Sequence, residues 1–250
     1  YLDIDINSSR QAYKNACDFV KDRSIKYGLT SNKILELGGG ELKRLKEYYL
    51  SDYDFSSRGR MQVFPQQYCR IIIELYDNIS PIACKNFRAL CTGEKGISSK
   101  SGKKLHYKGC KFHRLLPNFI LQGGDITFGN GTGGESIYGK KFKDDVKGLK
   151  LKHNDIGIIS MGNSGKNSNS SQFFITLHKD NARKCDKKHV IFGKIIYGLE
   201  VLDLIQEAND YLLKKNCKNL KKNKEEPVCD IIITECGIFT ENMIKQGYYD

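Results

Sequence analysis

The chain has 250 residues, of which 39% are hydrophobic and 28% charged, a composition typical of a globular protein with a sizeable core. Its formal net charge is +12, from 41 lysines and arginines against 29 aspartates and glutamates. Since no run of about 18 apolar residues occurs, the sequence predicts neither a membrane-spanning helix nor a membrane partner.

Much of the positive charge lies in lysine-rich segments, notably residues 140–143 and 214–224. One interpretation is attraction to nucleic acid, which would appear as salt-sensitive binding. The other is a set of lysines on solvated loops. We favour the second, because no basic strand with interleaved aromatic residues accompanies the lysines.

The nine cysteines are odd in number, and none forms a C-x-x-C pair. This pattern disfavours a disulfide framework and a structural zinc site, so we expect no metal. Reduced, buried thiols indicate a reducing compartment, the cytoplasm or the nucleus. The chain begins with a tyrosine and not with methionine, so a leader segment is compatible with this expectation.

The first predicted elements are two strands separated by a helical segment. Residues 1–6 alternate apolar and acidic side chains, which predicts a half-buried strand, and residues 70–76 predict the second strand. Between them, residues 10–28 carry apolar side chains at helical spacing, and a second helix is expected after three glycines at 38–40. The alternative to an insertion is that the chain before residue 66 is an N-terminal appendage unrelated to strand one.

The rest of the chain predicts short strands with two principal helices. Ser80 precedes Pro81, so we expect the serine side chain to cap a helix that starts at the proline. Residues 199–208 predict a second amphipathic helix, and residues 228–236 the final strand. Many short strands with two helices favour a closed β-barrel whose open ends the helices cover.

One run, residues 112–125, combines an arginine with aromatic and amide side chains. On a twisted strand interrupted by a proline-containing turn, Arg114, Phe119 and Gln122 are expected to face one groove. A guanidinium is always charged and presents fixed donors. It therefore suits a peptide ligand better than a metal or a proton transfer.

This run resembles the signature of the cyclophilins, the peptidyl-prolyl cis–trans isomerases. Residues 160–175 and 188–194 match the same family in the same order. The resemblance implies a mainly β fold, a closed eight-stranded antiparallel β-barrel capped by two α-helices. We expect a single domain, 1–250, with a helical insertion at 7–65 between strands one and two. A lysine-rich insertion at 209–227 and a tail at 240–250 complete the predicted organisation.

The resemblance also implies an enzyme that accelerates rotation of X-Pro peptide bonds, in protein folding or conformational switching. Amide resonance sets a barrier of about 18–20 kcal/mol for that rotation, and no cofactor is needed to lower it. The expected partners are X-Pro-containing polypeptides, and the expected state is a monomer. The alternative is a catalytically dispensable module that binds proline peptides within a larger assembly.

The resemblance assigns the site residues as follows. The predicted catalytic residues are Arg114, Gln122, Phe119, Asn163, Phe174 and His189. The predicted substrate-binding residues are Ile120, Gly131, Gly162, Ser164, Gln172 and Cys185. In this assignment Arg114 donates to the prolyl nitrogen as it pyramidalises, and Gln122 orients Arg114.

Two departures from the family's pattern bear on ligands and redox chemistry. The chain has no tryptophan, and the rim position that many members use to grip cyclosporin falls near Lys184, so we expect weakened cyclosporin binding. The longer loop at 97–106 resembles a subgroup in which cysteines matching Cys91 and Cys236, with a glutamate matching Glu135, accompany redox sensitivity. An oxidation switch is one interpretation, and two buried thiols are the one we favour.

Residues 129–134 satisfy the pattern G-x-G-x-x-G of dinucleotide sites. Such a site needs a helix directly after the glycines, and the sequence that follows does not begin one. We therefore interpret this segment as a loop that borders the peptide groove.

Overall fold

The structure is a computed structural model that describes residues 1–64, 69–139, 141–215 and 225–240. Its internal contacts divide the chain into two compact units, Asn7–Tyr68 and a larger unit of Tyr1–Ile6 with Cys69–Asp250. Residues 216–224 of the predicted lysine-rich insertion and residues 241–250 of the predicted tail lie outside the described residues. No helix of the described part is long and apolar enough to cross a membrane.

The larger unit contains one antiparallel sheet of eight strands. They are β1 (Leu2–Ile6), β2 (Arg70–Leu75), β3 (Phe112–Leu116), β4 (Ile120–Gly123), β5 (Ile158–Met161), β6 (Phe173–Thr176), β7 (Ile191–Tyr197) and β8 (Ile231–Cys236). Their order across the sheet is β3-β4-β6-β5-β7-β2-β1-β8. Every paired neighbour in this order runs antiparallel.

The two outer strands, β3 and β8, meet and nearly close the sheet into a barrel. An antiparallel bridge joins Lys111 to Ile232. The backbone N–H of Ile233 donates to the carbonyl of Cys110 at 2.9 Å, and that of Gly109 donates to Ile233 at 2.7 Å. The predicted mainly β fold, an eight-stranded antiparallel barrel, is confirmed.

The smaller unit is helical and has its own core. It contains α1 (Ser9–Arg23), a 3-10 helix (Ile34–Glu36), α2 (Gly39–Ser51) and α3 (Tyr53–Ser56). The rings of Phe19, Tyr49 and Phe55 are fully buried and pack edge to face. Hydrogen bonds from Lys26 and Arg23 lower the pKa of the Asp52 carboxyl to about 2 and tie the end of α1 to the end of α2.

The larger unit adds helices α4 (Pro81–Thr92), α5 (Val146–Leu149) and α6 (Glu200–Lys215). Phe87 and Leu90 of α4 and Ile205 of α6 are buried in the same cluster as the inward side chains of the strands. Helix α6 continues past residue 208, where the sequence predicts its end, so the first residues of the predicted 209–227 insertion are helical.

The predicted serine cap of α4 is wrong. The hydroxyl of Ser80 instead donates to the carbonyl of Ile191 at 2.6 Å. The carboxylate of Asp145 takes the capping position, because it accepts the backbone N–H of Ala83 at 3.0 Å. Burial raises the pKa of this carboxyl, although hydrogen bonds from the backbone N–H groups of Ala83 and Ile82 oppose the shift.

Strand β1 is buried on both faces, not on one as its alternating pattern predicts. Asp3 is only 4% exposed because Arg70, its partner in the β1–β2 register, lies over it. The guanidinium donates from Nε at 2.7 Å and from Nη2 at 2.8 Å to the two carboxylate oxygens. A fork of this kind satisfies a carboxylate that would otherwise be buried without partners.

We expect Asp3→Asn to destabilise the protein by about 3–5 kcal/mol, because the buried guanidinium of Arg70 then loses the carboxylate charge that compensates its own. Asp77→Asn is the matched control. It breaks an exposed aspartate–arginine pair with Arg88, in which the side chains are 54% and 39% exposed. Such pairs contribute less than about 1 kcal/mol. Urea unfolding of the full chain measures both, and equal losses would contradict the prediction.

Candidate active site

The centre of the candidate site is the hairpin formed by β3 and β4. Its turn places Pro117 and Asn118 between the strands, and the N–H of Phe119 donates to the carbonyl of Leu116 at 3.0 Å. Asn118 has a φ of 57°, the left-handed conformation that the third residue of a type II turn needs. The turn sets the register in which Arg114 pairs with Gln122.

A bulge in β3 directs Arg114 out of the barrel. Between Phe112 and Arg114 the strand advances two residues while β4 advances one. Phe112 and Leu115 therefore both face the core, which strict alternation would not allow, and Arg114 points to the opposite face.

Cross-strand pairing continues this arrangement over four strands. On the outer face, one row of directly paired residues consists of Arg114, Gln122, Phe174 and Ser160. On the inner face, the next row consists of Leu115, Leu121, Ile175 and Ile159, all in the core. The predicted catalytic residues Arg114, Gln122 and Phe174 thus occupy adjacent strands on one surface.

Side-chain amides hold the arginine in place. Nη1 of Arg114 donates to Oε1 of Gln122 at 3.3 Å, and Nε2 of Gln122 donates to Oε1 of Gln172 at 2.8 Å. Nε2 of Gln172 then donates to the carbonyls of Gly131 at 2.9 Å and Gly133 at 2.7 Å. We call the side chains of Gln122 and Gln172 the amide relay. It links the guanidinium to the glycine-rich loop at 129–134.

That loop is organised around Asp125. Its carboxylate accepts N–H groups of Phe128, Gly131 and Gly133 at 2.9–3.1 Å. Burial alone would raise the pKa of Asp125, but these backbone bonds and that of the Thr127 hydroxyl lower it to about 2. Residues 135–139, which follow the glycines, form no helix, and this agrees with the interpretation of the segment as a loop that borders the groove.

The floor of the site is apolar. Phe119, Ile120, Phe174 and Cys185 form a cluster with Leu116 that is separate from the barrel core. These are four of the predicted site residues, brought together from two strands, a turn and a 3-10 helix (Asn181–Cys185). At the rim, the ammonium of Lys184 lies 3.6 Å from the centroid of the Phe119 ring, a cation–π contact.

Two histidines fix the ring of Phe174. His189 packs against it edge to face at 5.1 Å, and His153 stacks on it at 5.7 Å. Nδ1 of His189 donates to the carbonyl of Met161 at 3.0 Å. The predicted pocket residue His189 therefore contacts the apolar floor as a packed, hydrogen-bonded ring.

His153 belongs to a chain of polar groups behind that floor. Its Nδ1 lies 2.8 Å from Oδ1 of Asp186, and its Nε2 lies 2.7 Å from the hydroxyl of Ser160. The order resembles a nucleophilic triad, but Ser160 and His153 are fully buried and no substrate atom can reach the hydroxyl. These hydrogen bonds instead hold the imidazole of His153 against the ring of Phe174.

The remaining predicted residues surround a polar cavity of about 290 Å³ next to the amide relay. Gly162, Asn163 and Ser164 form one wall of it. Nδ2 of Asn163 donates to the carbonyl of Lys188 at 2.8 Å, and the ammonium of Lys141 donates to the hydroxyl of Ser164 at 2.8 Å. Gln122 contributes to this cavity as well as to the row beside Phe174.

Sequence reasoning assigned no role to four residues that contact the site: His153, Asp186, Ser160 and Glu225. The carboxylate of Glu225 accepts Nε of Arg114 at 2.8 Å, from 111 residues further along the chain. No local pattern marks this pairing. The only signal is that Glu225 and Glu226 end the lysine run just before the final strand.

The predicted redox pair consists of two free, buried thiols, Cys91 and Cys236. Burial raises the pKa of both, that of Cys236 to about 12. Few thiolates exist at neutral pH in such surroundings, which favours the interpretation as buried thiols. Ser98 of the longer loop donates to the buried Glu135 carboxylate at 2.6 Å. The oxidation switch stays the less favoured interpretation.

Comparison with known proteins agrees with this arrangement. Residues 61–238 match a family model described as cyclophilin type peptidyl-prolyl cis-trans isomerase/CLD. The human NK-tumor recognition protein is 45% identical over 180 residues. That alignment spans 72% of this chain and 11% of the human protein.

The histidines predict a loss of stability in mild acid. Burial lowers the pKa of His106, His113, His153 and His189 from the usual 6.5. Below pH 6.5 the unfolded chain therefore binds protons that the folded chain does not. The stability that depends on neutral histidines is fully present above that pH, and each histidine removes at most about 1.4 kcal/mol per pH unit below it.

Denaturant unfolding at pH 7.5, 6.5 and 5.5 measures this loss. The lowered pKa of Asp125 affects stability only below about pH 3.8, outside this window. His153→Asn is expected to give a shallower pH dependence than the unmodified chain. Equal stability at pH 7.5 and 5.5 would show that the histidines titrate normally.

Proposed function

Because this chain belongs to the family of cyclophilin-type peptidyl-prolyl cis–trans isomerases, we propose that it catalyses the rotation of X-Pro bonds in polypeptides. The observation that carries this proposal is the row across β3, β4 and β6. It places a fixed guanidinium and a buried aromatic ring on one surface, with Gln122 between them. Two strand spacings separate Arg114 from Phe174, about 10 Å.

In this mechanism the apolar floor binds the proline ring. Phe119, Ile120 and Phe174 offer a surface from which water is largely excluded, and burial of the ring there holds one side of the X-Pro bond. The polar groups of the neighbouring cavity, with Asn163 in its wall, bind the flanking backbone. Only the bond between the two parts remains free to rotate.

Arg114 supplies the electrostatic part of the mechanism. As the amide twists, conjugation is lost and the prolyl nitrogen becomes pyramidal and a better acceptor. A guanidinium donor aimed at that nitrogen stabilises the twisted form more than either planar form, so it lowers the barrier. The amide relay holds the donor in position before the substrate arrives, so little reorganisation accompanies the reaction.

A catalytically dispensable, proline-binding module would use the same floor and the same cavity. What favours catalysis is the relay, because a floor that only binds proline does not need a fixed arginine. The matched part of the human NK-tumor recognition protein is 11% of that protein, so its other regions support no proposal about partners of this chain.

Arg114→Ala is expected to lower kcat/KM on an X-Pro peptide about a hundredfold, the usual loss for one transition-state donor. A protease-coupled assay, or NMR exchange between cis and trans peptide, measures it. Arg114→Lys is the matched variant, which keeps the charge but not the fork, and it should also lose most activity.

Two results would separate the candidates. Unmodified protein that binds the peptide without accelerating its isomerisation supports the binding module. Near-normal turnover by Arg114→Ala, with its fold intact by circular dichroism, removes Arg114 from the mechanism.

Cyclosporin binding is expected to be weak, because a lysine occupies the rim beside Phe119 where many family members have tryptophan. Lys184→Trp should tighten binding at least about tenfold, since an indole adds apolar area and one N–H donor. Arg183→Trp is the control, as that side chain is 64% exposed and pairs with Asp180. Calorimetry measures all three dissociation constants, and nanomolar affinity of the unmodified chain would contradict the expectation.

A further inference from the structure

The proposed mechanism leaves one contact of Arg114 without a role. Nε of Arg114 donates to Oε2 of Glu225 at 2.8 Å. The pair is partly exposed, with 36% of the arginine and 51% of the glutamate side chain accessible. An exposed ion pair adds little to the stability of the fold by itself. The contact with Glu225 therefore matters through the position that it gives to the guanidinium of Arg114.

The seam of the barrel places Glu225 beside Arg114. From the Lys111–Ile232 bridge, the chain before β8 runs antiparallel along the outer edge of β3. Nζ of Lys111 bonds Asp230 at 3.0 Å, and the N–H of Leu115 donates to the carbonyl of Glu225 at 2.8 Å. The backbone of Glu225 is therefore anchored to the residue next to Arg114, which brings its side chain within reach of the guanidinium.

The two partners of Arg114 use different edges of its guanidinium. Glu225 accepts from Nε, and Gln122 accepts from Nη1 at 3.3 Å. Bonds at two separate donors fix both the position and the plane of a planar fork. Among the described residues no other acceptor bonds this group, so both N–H donors of Nη2 are available to a substrate.

We propose that Glu225 is a positioning residue that holds Arg114 with its Nη2 donors toward the substrate. This inference rests on the proposed isomerase function and deepens it. The carboxylate acts through its acceptor oxygen at Nε. Its negative charge weakens the guanidinium field only slightly, because the pair is partly exposed and well screened by solvent.

The experiment compares three variants in the isomerase assay. Glu225→Ala removes the acceptor and is expected to lower kcat about three- to fivefold with KM unchanged. Glu225→Gln keeps an oxygen that can accept from Nε, so it should stay within about twofold of the unmodified protein. Asp230→Asn breaks the other ion pair of the same seam without touching Arg114, and it should leave activity unchanged.

The Nε–H resonance of Arg114 in a ¹H–¹⁵N spectrum gives a readout that does not depend on turnover. Arg114→Lys identifies the signal by its disappearance. In the unmodified protein the proton should exchange slowly with water. Glu225→Ala should speed its exchange at least about fivefold, whereas Asp230→Asn should not change it.

Each other outcome counts against the proposal. Higher kcat in Glu225→Ala would mean that the glutamate competes with substrate for Arg114. Equal losses in Glu225→Gln and Asp230→Asn would mean that the seam acts only through the fold. An active unmodified enzyme with an unaffected Glu225→Ala variant overturns this inference alone, whereas an inactive unmodified protein overturns the proposed function as well.

Discussion

The register of β3, β4 and β6 is the constraint on which the rest of the site depends. Side chains alternate between the faces of a sheet, so one row of paired residues lines the core and the next faces outward. The inner row, Leu115–Leu121–Ile175, is buried in the barrel and fixes the register through its apolar surface. The outer row then has no freedom: Arg114, Gln122 and Phe174 must be neighbours. A slip of one residue would exchange the two rows, so the same register both packs the core and brings the residues of the site together.

The polar part of the site is set by a second constraint, that buried polar groups need partners. Gln172 is only 8% exposed, and its amide has both functions satisfied: its nitrogen binds two glycine carbonyls, and its oxygen accepts from Gln122. The loop that provides those carbonyls is held by Asp125. Close approach at Gly131 also excludes a side chain, because a Cβ there would lie 2.8 Å from the ring of His113. The orientation of Arg114 therefore depends, through Gln122 and Gln172, on a loop that the guanidinium itself does not contact.

The sequence was informative where the site is local and poor where it is not. Arg114, Phe119 and Gln122 fall within one hairpin, so a motif of 14 residues is enough to bring them together. The apolar residues of β3 do not locate the bulge that turns Arg114 outward, because Phe112 and Leu115 would also fit a regular strand with one of them on each face. The contact of Glu225 with Arg114 depends on which segments lie side by side in the fold, and so does the pairing of His153 with Asp186. No local sequence pattern predicts that arrangement. The acidic residues of β1 misled for the same reason: Asp3 reads as solvent-facing until Arg70 is known to cover it.

The position of β1 shows why a long segment between two paired strands is compatible with this barrel. The family match begins at residue 61, yet β1 lies between β2 and β8 in the sheet. Its place is specified by its own contacts, which are five register pairs with β8 and the Asp3–Arg70 fork to β2. Because the entropy cost of closing a loop grows only with the logarithm of its length, lengthening the connection costs little once those contacts exist. A segment with its own buried aromatic core reduces that cost further, since the connection is then a folded body and not a free chain. The fork matters most at this point, because it joins two strands through residues that are 67 positions apart in the chain.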